Sequence, residues 1–99
     1  MQKFPGLTDF EACLHECFGV TLIDNAVYPL ELIEASALPR TYANATRTLP
    51  FQLKFRGPGP GYLPQQIHLL QNDRLGACEL FLVPIGREGD GYLYQAIFN

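Results

Sequence analysis

Hydrophobic and polar residues alternate most cleanly over Phe51–Arg56, where Phe51, Leu53 and Phe55 interleave with Gln52, Lys54 and Arg56. A period of two puts the apolar three on one face of a strand and the polar three on the other. Gly57-Pro58-Gly59-Pro60-Gly61 then stops the pattern with a rigid turn. The same period predicts strands over Val20–Ile23, Tyr28–Ala35, Gln66–Gln71 and Tyr92–Phe98. Asp24–Ala26 joins the first two as a hairpin connection. Tyr28, Leu30 and Leu32 share a face, and Pro29, which has no N–H to donate, belongs at a strand start or an edge. Leu30–Leu38 also suits a helix, and strand is the preferred reading. Tyr62-Leu63-Pro64 is extended, because a residue before proline is pushed out of the helical region.

Two stretches depart from simple alternation. Cys78–Val83 is apolar on both faces apart from Glu79, which predicts a central strand that Pro84 ends. Asn72, Asp73 and Arg74 with Gly76, and the run Gly86–Gly91, read as turns. Ser36–Thr48 has no apolar period and reads as a long surface loop, the kind that often carries function.

The N-terminal pattern is helical. Phe10, Leu14, Cys17 and Phe18 fall on one face of a helix over Asp9–Phe18, with Gly19 just past its end. Thr8 and Glu11 have capping-box spacing. The fold class that follows is mainly β, within α+β. One N-terminal helix and about six antiparallel strands form a single domain over residues 1–99, as a twisted meander or partly closed barrel, with the helix over an open end or face.

Composition narrows the function more than the fold. A hydrophobic share of 47% in 99 residues supports one real core. The net charge of −3, with its seven basic residues scattered, argues against nucleic acid, whose binders carry a basic patch. No apolar run reaches the ~18 residues that span a membrane, and the N-terminus lacks the apolar core of a secretory signal. Three cysteines make a poor disulfide framework, so free thiols in a reducing, cytoplasmic setting are expected.

From Phe51 onward the chain resembles a family of short bacterial proteins, about this length, whose domain has no assigned function. The resemblance is carried by Phe51–Pro58 (ending FRGP), Leu63-Pro64-Gln65, Gly76–Gly86 (containing LFLVP) and the terminal Tyr94–Asn99. The helix bearing Phe10, Leu14 and Phe18 fits the family's start. His15, Gln66 and His68 depart from the family pattern. The resemblance implies no established activity, and it brings a loose association with phage-tail-like or tail-fibre systems.

Candidate chemistry is sparse. Cys13, His15 and Cys17 could offer soft metal ligands, but zinc sites use a closer pair on a turn together with a second pair elsewhere. Cys17 on a buried face behaves as a small hydrophobe. His15 pairs with Glu11 one helical turn away. His68 shares a strand face with Leu70 and reads as a hydrogen-bonded histidine at the core edge. Cys78, buried in its strand, is inert. Ser36 is the lone serine and has no nucleophile motif around it. The prolines of Gly57–Gly61 remove the donors a phosphate cradle needs, and Gly86–Gly91 lacks the spacing of a calcium loop.

No catalytic residue, metal site or cofactor is therefore expected. The favoured function is a non-enzymatic interaction or assembly module. Its partner is another protein, a further copy of the chain included, met through loops or strand edges. Tyr42 and Tyr62, both in loops, and Arg56, at the polar end of its strand, are the candidate contact residues. The competing reading is a small enzyme or metal-binding protein using Cys13, Cys17, His15 or His68.

Overall fold

The structure, a computed structural model, describes residues 5–39, 50–59 and 61–98. A short helix α1 (Leu7–Glu11) precedes six strands: β1 (Cys17–Thr21), β2 (Val27–Ala37), β3 (Phe51–Gly57), β4 (Gln66–Asn72), β5 (Gly76–Glu88) and β6 (Gly91–Phe98). They close into an antiparallel barrel in the order β1-β2-β3-β6-β5-β4. Each half of the chain is thus a three-strand meander, and the segment after β3 crosses to start the second. Seven β3–β6 pairs, from Phe51↔Phe98 to Gly57↔Tyr92, join the halves on one side. Gly19↔Gln71 and Val20↔Leu70 join them on the other.

Alternation does what its period requires. Phe51, Leu53 and Phe55 all point inward and are buried, while Gln52, Lys54 and Arg56 point out. Tyr28, Leu30 and Leu32 meet them from β2, and Leu80, Leu82, Tyr94 and Ala96 from the second half. Phe10 of α1 closes one end. Its ring lies 5.8–6.3 Å from those of Phe18, Phe51 and Phe98, and burying such a side chain contributes roughly 1.5–3 kcal/mol.

Two β-bulges explain where the sequence pattern is ambiguous. In β2 the register shifts between Leu32 and Glu34, so Leu32 and Ala35 both face the core. A spacing of three is what made Leu30–Leu38 resemble a helix. In β5 the register shifts between Pro84 and Gly86. Pro84 therefore does not end the strand. It sits at a bulge, where a missing N–H costs little, and β5 runs on to Glu88. Only Gly89 and Asp90 of the Gly86–Gly91 run form the turn.

The N-terminal helix is shorter than the pattern predicts. It ends at Glu11, and its first turn is closed by the Gly6 N–H donating to Asp9 Oδ2 at 2.8 Å, with no part for the Thr8–Glu11 box. His15 takes a positive φ of 71° and turns the chain into β1. Its amide donates to the Leu32 carbonyl at 2.7 Å, and the Leu32 amide donates to the Glu16 carbonyl. Sheet pairing overrides the helical period: as a strand paired with β2, Cys17–Thr21 turns Phe18 and Val20 together into the core. Cys13 takes the inward place expected of Leu14, and Cys17 is exposed. Gly19 lies inside β1, opposite Pro29. Ser36 and Ala37 belong to β2. Tyr42 and the rest of the expected loop, residues 40–48, lie outside the described residues.

Candidate functional site

Among the described residues, three surfaces stand out. The first gathers around Arg56. Cross-strand pairing sets it opposite Glu31, and its guanidinium donates to Glu31 Oε1 at 3.0 Å and to Glu88 Oε1 at 2.7 Å. His15 Nδ1 lies 3.2 Å from Glu31 Oε2, so the expected His15–Glu11 pair does not form. The helix ends before it could. With Pro29, Pro58 and Asp90 these residues line a groove of about 650 Å3. Arg56 and His15 hold the Glu31 carboxyl below its usual range, and Glu88 and Glu31 in turn raise the Arg56 guanidinium. The groove's Cys17 makes no hydrogen bond to a base among the described residues.

Close backbone packing builds the groove's floor. A Cβ on Gly59 would strike the Asp90 carbonyl, and one on Gly91 the Gly57 carbonyl. The two glycine-rich segments of the sequence are thus one structural feature, the end of β3 laid against the β5–β6 turn.

The second surface is aromatic. Tyr62 is 60% exposed, and its ring lies 5.3 Å from that of Tyr92, over which the Arg87 guanidinium sits at 5.3 Å. Of the three residues expected at contacts, Tyr62 is therefore accessible, Arg56 is held in two ion pairs, and Tyr42 is outside the described residues.

The third surface is the outer face of β4, β5 and β6, which the sequence reading missed. Ile67 on β4 pairs directly with Phe81 on β5. Val83 pairs with Gln95, so Phe81 and Ile97 face outward on adjacent strands. Ile67 is 64% exposed, Leu69 48%, Phe81 51% and Ile97 50%. By contrast, the outer face of β2 and β3 is polar. Gln52 bonds Ser36 and Gln95, and Lys54 pairs with Glu34. The clue lay in Cys78–Val83. A strand apolar on both faces looks central and doubly covered, but in a closed barrel its second face meets solvent.

The remaining candidates are structural. His68 is buried, with Nε2 2.8 Å from the Pro64 carbonyl. Asn72, buried at the end of β4, accepts from the amides of Arg74 and Leu75 and from the Cys13 thiol, and donates to Glu16 and the Cys17 carbonyl. It ties the β4–β5 turn to the N-terminal turn. Burial pushes the Cys13 and Cys78 thiols up. Among the described residues no three His, Cys, Asp or Glu side chains converge as a metal site, and no helix is long and apolar enough to cross a membrane.

A family model described as Domain of unknown function (DUF6916) matches residues 5–98, and the chain belongs to that family. No curated protein and no solved structure matches it.

Proposed function

We propose that this DUF6916 member is a non-enzymatic protein-interaction or assembly module that docks through the outer face of β4, β5 and β6. The observation that carries the reading is the Ile67–Phe81 pair, flanked by Leu69 and Ile97, each with about half or more of its surface in water. The four side chains together expose roughly 400 Å2, the size of the largest apolar patch on an ordinary monomer and one that is often functional. Glu79, Gln95 and Gln52 rim it with polar groups, as docking surfaces are rimmed. Closure of the barrel moves the contact from strand edges to a strand face, because each described strand already has two neighbours.

A cytoplasmic setting accompanies this proposal, supported by three free cysteines, two of them buried. An assembly role in a phage-tail-like or tail-fibre system is its narrower form. That form rests on the family resemblance. Tail or fibre genes beside the coding gene would support it, and a metabolic operon would count against it.

The test is capture of a partner by immobilised protein. Wild type should retain a protein that Phe81→Glu releases. Capture that survives Phe81→Glu but is lost with Tyr62→Ala would move the docking surface to the Tyr62–Tyr92 cluster and overturn this placement.

A further inference from the structure

We infer that the occupant of the β4–β5–β6 face is a second copy of this chain, docked sheet to sheet in a two-fold dimer. The inference rests on the reading of that face as a docking surface, and names its partner.

Size is the first argument. An apolar centre of roughly 400 Å2, with its polar rim, approaches the ~800 Å2 per partner of a standard stable interface. Shape is the second. A two-fold axis sets this face against an identical one, so the contact needs no second, differently shaped surface. In the isologous arrangement Ile67, Phe81 and Ile97 of each copy meet the same strip of the other.

Charge distribution is the third. The chain carries a net charge of −3, so two copies repel through most approaches. The row Ile67–Phe81–Ile97 itself carries no charge, and Glu79, paired with Leu69, is the outward carboxylate next to Phe81 on β5. Glu31, Glu88 and Asp90 gather instead around the Arg56 groove, toward the β5–β6 turn. Docking by β4, β5 and β6 is the approach that keeps those carboxylates out of the interface. Strand addition is closed to the pair, since the described strands form a complete ring.

Sedimentation velocity over a dilution series tests the inference on the full chain. Wild type should sediment as a species of twice 11.1 kDa and fall to 11.1 kDa on dilution. Phe81→Glu and Ile67→Glu, with unchanged circular dichroism, should each weaken the dimer at least about tenfold, because a charge would be buried at the centre of the contact. A wild type that stays monomeric at every concentration overturns the inference. So does a dimer that both variants leave intact. If wild type is monomeric yet captures another protein in a Phe81-dependent way, self-docking fails and the interaction reading stands. If captured protein is indifferent to Phe81, that reading fails as well.

Discussion

Tyr28 Oη and Tyr94 Oη stand 3.1 Å apart, and the pair holds the chain's crossing from β3 to β4. Tyr94 Oη accepts from the Leu63 amide at 2.8 Å, and Tyr28 donates to the Pro58 carbonyl at 2.7 Å, with the Gly61 carbonyl at 3.1 Å. With the Tyr28 proton on Pro58, Tyr94 is the donor between the two hydroxyls. The hydrogen bonds then run in one direction, from the Leu63 amide through both tyrosines to Pro58. The rings meet edge to face at 87°. The Pro/Gly segment after β3 is anchored from inside the barrel.

Tyr94→Phe should therefore destabilise the fold. It leaves the buried Leu63 amide without its acceptor, a loss of about 1–3 kcal/mol. Tyr28→Phe leaves the buried Tyr94 hydroxyl without its acceptor and frees carbonyls of Pro58 and Gly61, both exposed residues, and should likewise cost about 1–3 kcal/mol. Urea midpoints should fall for both variants with unchanged slopes. Equal midpoints for Tyr94→Phe and wild type would dissolve the anchor.

Gly57→Ala tests the same junction from the other side. Its Cβ would press on the Tyr28 ring, with Cε1, Oη and Cζ within 2.9 Å. Overpacking of this kind costs about 1–3 kcal/mol. In a Tyr28→Ala background the penalty of Gly57→Ala should vanish. If the two substitutions instead add independently, Tyr28 is not what excludes a side chain there.

Acid stability should respond to two carboxylates. Arg74, with Asn72, holds Glu16 below its usual range, and Arg56, with His15, holds Glu31. A depressed carboxyl stabilises the fold above its unfolded pKa of about 4.3, and the contribution is lost as pH falls through the folded value. Urea midpoints should be flat from neutral pH to about 5 and drop below about 4. Arg56→Met should flatten part of that drop, and an unchanged profile would remove Glu31 from the explanation. Both carboxylates face solvent, so added salt should shrink the effect.

Thiol reactivity should divide the cysteines. Cys17 is exposed, whereas Cys13 and Cys78 are buried and raised by that burial. A disulfide reagent at neutral pH should modify one thiol quickly in native protein and three in denaturant. Cys17→Ser should remove the fast equivalent. Fast reaction of two or more native thiols would contradict the burial of Cys13 or Cys78.

Much of the fold was legible because β3 and β6 keep strict alternation, and one-residue parity fixes which face is buried. Legibility failed where tertiary pairing broke the parity. The bulge after Leu32 imitates a helical spacing, the bulge after Pro84 hides a continuing strand, and the Leu32 carbonyl pulls His15 out of the expected helix. The site was less legible, for a related reason. Arg56 was visible at a strand's polar end, but its partners Glu31 and Glu88 lie 25 and 32 residues away. The double apolar pattern of Cys78–Val83 reads as a central strand covered on both faces. Only closure of the barrel leaves Phe81 about half exposed among the described residues.

The most direct measurement uses the chain's lack of tryptophan. Phe81→Trp places a single fluorescent reporter at the centre of the β4–β5–β6 face. The expected result is water-exposed emission in dilute protein that shifts to shorter wavelength as concentration rises and the face is covered. Short-wavelength emission in the dilute monomer, or emission that never shifts with concentration or with captured partner, would contradict a docking role for this face.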